Sequence, residues 1–159
     1  MNKIISLKKA ETVLSSHKIK KRTIVLTGGC FDILHIGHIE FFKKARKEGD
    51  ILVILLESDR KVKALKGPNR PIFSQKERAL VLSSIAQINY IILLPYITSD
   101  KIYTDIVFKL KPDIIAVTEN DPMFDKKKIQ ANKIKATIKI IPFVKTYSSS
   151  KLLNILGID

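Results

Sequence analysis

The sequence predicts an α/β domain, a five-stranded parallel sheet with helices on both faces, and three observations predict it. Five short runs have the composition and length of strands: TIVLT (23–27), ILVILL (51–56), YIILL (90–94), IIAV (114–117) and TIKIIPF (137–143). The first four are nearly continuous apolar runs, as expected of strands covered on both sides. Segments with helical spacing and helix-end signals separate the runs, and such alternation is the mark of a parallel sheet. The 159 residues, 45% of them hydrophobic, suffice for one well-filled core and fall short of two ordinary ones.

Taken in order, residues 1–22 read as a basic, amphipathic helical extension, and 23–159 as the core of a single domain spanning 1–159. The first core helix is expected over 37–48, with Gly49 as its stop. Ser74 and Glu77 make a capping box, and Ala79, Leu80, Leu82, Ile85 and Ala86 continue that helix at apolar spacing. A further helix covers 100–110 and ends before Pro112. The last opens after YSSS and carries Leu152, Leu153 and Ile155.

No apolar run approaches a membrane span, and 28% charged residues exclude a membrane protein. The segment MNKIISLKKAETVLSS has neither a long apolar centre nor a small-residue cleavage site, so it reads as a helix and not a signal peptide. One cysteine, Cys30, allows no internal disulfide and fits a reducing, cytoplasmic setting. Net charge is +14, from 29 basic and 15 acidic residues. Residues 126–145 hold seven lysines and no acid, and 3–22 hold seven basic residues against Glu11. That balance suits nucleic acid, nucleotides or phosphorylated metabolites, and it equally suits a solvated lysine-rich surface. His17 is expected at the surface, and the scattered Tyr96, Tyr103 and Tyr147 form no platform for stacking single strands.

In parallel sheets ligands gather at the carboxyl ends of the strands. TGGCFDILHIGH follows the first of these ends. Gly28 and Gly29 let the backbone turn sharply and approach a ligand. The next helix offers free N–H groups and a positive dipole end to an anion. His35 and His38 lie three apart on that helix end, and Gly37 between them removes a side chain where a phosphate needs room. Imidazoles donate hydrogen bonds to phosphate oxygens and offset charge developing in a transition state. A zinc site is not expected, because no further Cys/His cluster completes a ligand set around Cys30, His35 and His38. No protein metal site is expected.

GGCFDILHIGHIEFFKKARKEGD resembles the nucleotidyltransferase superfamily with the H-x-G-H signature, the cytidylyltransferase-like group. The resemblance implies a Rossmann-like fold and one reaction: an acceptor phosphate attacks the α-phosphate of a nucleoside triphosphate, ATP or CTP, and pyrophosphate leaves with Mg2+ assisting. ESDRKVKALKGPNRPIFSQKERALVLSSIAQINYII resembles the family's second block, where a lysine contacts phosphates and an arginine opens the next helix. Lys66 and Arg78 fill those places, with Lys61 and Lys63 as rivals to Lys66. TYSSSKLLNIL resembles the C-terminal block that binds the triphosphate, so Ser148, Ser149 and Ser150 are candidates; their alternative is plain N-capping.

The chain is most similar to the heptose-1-phosphate adenylyltransferase group, through the entry SLKKAETVLSSHKIKKRTIVLTGGCFDILH, LKGPNRPI and IIPFVKTYSSSKLLNIL. That group carries Gly-Gly-Asp and an aromatic residue after the fourth strand. Here AVTENDPMFDKKK places Asp121 at the aspartate, with Glu119 and Asn120 for the glycines and Pro122 for the aromatic residue. TGGC in place of Thr-Asn-Gly-Cys is a milder departure.

The resulting expectation assigns catalysis to His35, His38 and Lys66. Nucleotide binding falls to Gly28, Gly29, Cys30, Phe31, Asp32, Gly37, Arg78, Asp121 and Ser148 to Ser150. Asp32 is a candidate for holding magnesium through water or for orienting a histidine, beside a plain turn role. Cys30 contributes backbone and no nucleophilic sulfur. The partners are a nucleoside triphosphate and a small phosphorylated acceptor: a sugar phosphate first, glycerol 3-phosphate or FMN otherwise. A homodimer is implied by the resemblance; membrane and nucleic-acid partners are not expected. Two rival readings are an aminoacyl-tRNA synthetase-like fragment, echoed by HIGH and SSSK, and a non-catalytic nucleotide- or RNA-binding module on the same fold.

Overall fold

The computed structural model describes residues 2–144, 146, 148–155 and 157. Six parallel strands form one sheet in the order β1-β4-β3-β2-β5-β6. They are β1 (Ile4–Ile5), β2 (Ile24–Gly29), β3 (Ile51–Leu56), β4 (Tyr90–Leu93), β5 (Ile114–Thr118) and β6 (Thr137–Ile141). Among the described residues seven helices accompany them: α1 (Leu7–Ile19), α2 (Ile36–Lys47), α3 (Asp59–Lys66), α4 (Gln75–Ser83), α5 (Asp100–Leu110), α6 (Phe124–Ile134) and α7 (Ser149–Ile155).

The five expected strands are present. The sixth, β1, corrects the helical reading of the N-terminal stretch. Ile4 and Ile5 pair with Ile91 and Ile92 of β4 and close that edge of the sheet. α1 then buries Ala10 and Leu14 against the core. His17, expected at the surface, is instead half-buried, with Nε2 2.9 Å from the Tyr90 hydroxyl.

Strand alternation divides the core in two. Ile51, Val53 and Leu55 of β3 join Ala10, Ile106 and Leu110 of α1 and α5 on one face. Leu52, Ile54 and Leu56 join Phe42, Ala45 and Leu82 of α2 and α4 on the other. Every residue of β3 is therefore buried, which is why its sequence shows no polar face. β6 lies at the sheet edge with only Ile141 buried.

The caps follow the sequence. Ser74 and Glu77 form the expected capping box at α4, with Ser74 N–H donating to Glu77 Oε2 at 2.8 Å. α4 buries Ala79 and Leu82, whereas Leu80 faces outward at 61% exposure. Gly49 lies just past α2, but with no left-handed backbone. A Cβ there would meet Val25 Cγ2 at 2.7 Å, so it serves close packing against β2.

β2 is flanked by β3 on one side and by β5 on the other. The chain winds one way from β2 through β3 to β4 and returns to the far side for β5. That reversal opens a crevice at the carboxyl ends of β2 and β5, where such sheets bind ligands.

Candidate active site

The β2–α2 junction stands at this crevice. Gly28 and Gly29 do not make the turn that the sequence suggested. They remain in β2, paired with Leu55 and Leu56, and the chain turns at Phe31, whose φ of 45° is left-handed. Gly29 supplies space: a Cβ there would sit 2.9 Å from the Phe31 ring. Phe31 in turn packs on Phe42 and meets His38 edge-on, with ring centroids 5.6 Å apart.

The two histidines build their own helix cap. His35 is the N-cap of α2, and its Nδ1 accepts from Gly37 N–H at 3.2 Å. His38 Nδ1 accepts from His35 N–H at 3.3 Å. The rings lie 3.9 Å apart. Because each Nδ1 is an acceptor, each neutral ring carries its proton on Nε2, and both Nε2–H groups are left to donate elsewhere. Burial holds His38 down to about 4, helped by His35 and Lys66, and the same burial and Lys66 lower His35. Both rings are thus neutral donors near pH 7. Gly37 makes this fit possible, since a Cβ would meet the His35 ring and Thr146 Cγ2 at 3.0 Å. The reserved room belongs to protein atoms, and the contact brings the C-terminal segment beside the histidines.

Lys66 ends α3, ahead of Gly67 with its φ of 104°. Its charge acts to lower His35, His38 and the Cys30 thiol. Of its rivals, Lys61 Nζ donates to Ile97 O at 3.1 Å, and Lys63 is exposed. Burial raises the Cys30 thiol, in keeping with a sulfur that is no nucleophile.

Beneath this layer the polar groups are saturated from within. The Asp32 carboxylate is buried, accepts from Arg70 Nε at 2.6 Å, and takes the N–H groups of Ile72 and Phe73. Those hydrogen bonds and the Arg70 charge outweigh burial and hold its carboxyl below the usual range. Arg78 is 1% exposed. It donates to Phe73 O, Cys30 O, Glu57 O and Asp59 Oδ1, and so ties the ends of β2 and β3 to α4. Both residues fix the floor of the site and do not reach into it.

Asp121 organises the start of α6. It accepts from Met123 N–H at 2.8 Å and pairs with Lys127 at 2.7 Å. Asn120 takes a left-handed φ of 59°, the conformation a glycine would adopt most easily. The Glu119 carboxylate accepts from Phe143 N–H at 2.9 Å. These residues, with Thr118, Phe124 and Ile140, line a recess of about 270 Å³ at the end of β5. Ser148 caps α7 by accepting from Lys151 N–H at 3.2 Å, and Ser150 is half-buried. The side chain of Ser149, and residues Met1, Lys145, Tyr147, Leu156, Ile158 and Asp159, lie outside the described structure.

Among the described residues no group of three or more His, Cys, Asp or Glu side chains could hold a metal ion. Asp32, the proposed magnesium contact, is already committed to Arg70 and two backbone donors. Asp32 therefore has no free position for a magnesium ion, which takes one or two carboxylates beside substrate phosphates and water. No helix among the described residues is long and apolar enough to cross a membrane.

Sequence reasoning missed Glu57. It follows the wholly apolar β3, and both of its carboxylate oxygens lie 2.9 Å from the Tyr103 hydroxyl. An acid ending an apolar strand at the ligand edge is the signal that could have revealed it.

A family model described as cytidylyltransferase-like matches residues 26–154. The bifunctional protein HldE of Campylobacter fetus subsp. fetus is 38% identical over 152 residues, 96% of this chain and 31% of that protein. HldE of Helicobacter pylori strain Shi470 is 37% identical over 151 residues, 95% of this chain and 30% of that one. The chain therefore spans about a third of the length of these curated relatives. Among solved structures, a lipopolysaccharide core biosynthesis protein from Thermoplasma volcanium GSS1 superposes with a TM-score of 0.61 at 30% identity, over 79% of this chain and 99% of that one. A pantoate-beta-alanine ligase from Francisella tularensis shares the fold, with a TM-score of 0.66 at 16% identity over 90% of this chain and 67% of that one.

Proposed function

The chain belongs to the cytidylyltransferase-like family, and from that premise we propose that it transfers a nucleoside monophosphate from ATP or CTP to a small phosphorylated acceptor. The favoured pair is ATP and a sugar 1-phosphate of the heptose type. An acceptor phosphate oxygen attacks the α-phosphorus, the bond to the β-phosphate oxygen breaks, and pyrophosphate leaves with the electron pair.

One observation carries the reading. His35 and His38 fix their Nδ1 atoms on backbone N–H groups, so two neutral Nε2–H donors stand together beside Lys66. Donors held in place before the reaction cost no reorganisation when charge moves onto the phosphates. Lys66 supplies the formal positive charge, orienting the acceptor phosphate or neutralising the α-phosphate. The α2 N-terminus adds its dipole, and Ser148 to Ser150, drawn close through Thr146, are assigned the β- and γ-phosphates. Asp32 and Arg78 keep the floor rigid, and positioning dominates the catalysis. Magnesium arriving with the triphosphate would neutralise part of its charge.

The test is pyrophosphate release with ATP or CTP against heptose 1-phosphate, hexose 1-phosphates, glycerol 3-phosphate and FMN. Release that needs one triphosphate and one acceptor is the expected result. No release from any pair, beside salt-sensitive RNA binding, overturns it in favour of a nucleic-acid-binding module.

A further inference from the structure

The alternation of β3 sends Ile51, Val53 and Leu55 to the α1/α5 face. Glu57 is the next residue of that parity and leaves the sheet on the same side, at its carboxyl edge. Its backbone is locked to the phosphate turn. Glu57 N–H donates to Gly29 O at 3.1 Å, and its carbonyl accepts from Arg78 Nη2 at 2.9 Å. The Glu57 backbone is therefore fixed relative to Gly29, and Tyr103 holds its carboxylate.

Charges link the groups around Cys30. Lys66 acts on both histidines and on Cys30; Cys30 also feels Glu57, and Tyr103 feels both Cys30 and Glu57. Glu57 stands beside the end of β2 through its N–H on Gly29 O, and its carboxylate holds the Tyr103 hydroxyl. The Tyr103 ring is held by α5 beneath the Lys61 ammonium, 5.6 Å away. Burial raises the Glu57 carboxyl, while Tyr103, Lys61, Lys127 and Arg78 draw it back.

A half-buried carboxylate next to a phosphate site repels phosphate, so binding the triphosphate does not account for it. It does suit hydroxyl groups. An ionised carboxylate has about four acceptor positions, and Tyr103 offers one donor to two oxygens. The Tyr103 oxygen can itself accept from a neighbouring hydroxyl.

We propose that Glu57 and Tyr103 form the subsite for the hydroxyl-rich body of the acceptor, and select a neutral polyol carrying one phosphate. The assignment rests on the acceptor phosphate lying at Lys66. Sugar hydroxyls donate to the free positions of Glu57, and an acceptor without hydroxyls leaves that carboxylate desolvated and short of donors. Sites that hydrogen-bond a substrate hydroxyl reject analogues lacking it far better than apolar pockets reject small changes of shape. The same negative charge disfavours acceptors with a second phosphate or a carboxylate near this end.

The test is titration calorimetry of the intact chain with D-mannose 1-phosphate and with cyclohexyl phosphate, similar in ring size but without hydroxyls. Wild type is expected to prefer the sugar phosphate by about ten-fold or more. Glu57→Gln is expected to remove most of that preference, weakening the sugar phosphate and tightening cyclohexyl phosphate, which no longer desolvates a carboxylate, and Tyr103→Phe to reduce it partly. Thermal melts of both variants establish that they fold. Equal affinity of the two phosphates in wild type, or an unchanged preference in a folded Glu57→Gln, overturns the subsite. A preference that depends on Glu57 in a chain that releases no pyrophosphate upholds the subsite and overturns the transfer reaction.

Discussion

The start of α2 and the layer beneath it are built from the same kinds of residue and use them in opposite ways. Above, His35 and His38 each commit one ring nitrogen to the backbone and keep the other available. Below, Asp32 and Arg78 turn their polar atoms onto neighbouring protein groups. Both layers hold residues that sequence motifs mark as phosphate-binding. The difference is whether a donor remains after the fold has taken its share. A residue with a donor left over is available to a ligand, and a saturated one sets where the first can stand.

Substitutions should separate the layers. The largest effect is expected on the upper one. His35→Ala or His38→Ala should lower the rate of pyrophosphate release by about 10²–10³-fold, the usual cost of one preorganised donor. The melting temperature should fall little, since each removes one cap interaction worth about 1 kcal/mol. Arg78→Met should do the reverse. Three carbonyls and Asp59 lose their donor at a buried position, and urea unfolding should show a loss of about 3 kcal/mol. A comparable loss of rate in the folded Arg78 variant, with unchanged stability, would instead put its guanidinium on the substrate.

How much was legible follows the same division. β2 to β5 were readable because strands buried on both faces leave uninterrupted apolar runs. β1 was not, because two residues leave no pattern. α3 and α6 went unassigned because each is dominated by lysines and polar residues: α3 buries only Val62, and α6 only Gln130 and Ala131. The histidine pair was readable as a motif, but its tautomers depend on two backbone N–H groups that no spacing reveals. Arg78 looked like a phosphate ligand because a guanidinium serves carboxylates, carbonyls and phosphates alike. Glu57 escaped notice because its significance comes from Tyr103, 46 residues away.

The next effect is pH-dependent and also divides the layers. His38 titrates at about 4 in the folded chain and near 6.5 when unfolded. Between those values the unfolded chain binds more protons, so stability falls as pH drops through that window and this group adds no further loss below it. Protonation also turns His38 Nδ1 into a donor facing the His35 N–H, which breaks the cap. The urea midpoint of wild type should therefore drop more between about pH 7 and about pH 5 than that of His38→Asn, which cannot titrate. Asp32 works at lower pH: its folded carboxyl is depressed, so its contribution is intact above the unfolded value and is lost only as pH falls through the folded one. Equal slopes for wild type and His38→Asn from about pH 7 to about pH 5 would remove His38 from the account.

The smallest effect is at the far side of the crevice, where the β5–α6 turn departs from the glycine pair of the group it resembles. Asn120 holds a left-handed φ of 59°, which asparagine tolerates better than most side chains and glycine better still. Asn120→Gly relieves that conformation but gives the unfolded chain more freedom, and the two terms oppose each other. The net change in unfolding free energy should stay within about 1 kcal/mol. The turn is otherwise held by Asp121 on Lys127 and Met123 N–H, and by Glu119 on Phe143 N–H, none of which involves the Asn120 side chain. If the Asn120 side chain only occupies the turn, the Gly variant should bind ATP and CTP with the wild-type ratio. A changed ratio would mean that the side chain reaches the nucleobase, and would make this turn, unlike the saturated floor under α2, a region that keeps a polar group for the ligand.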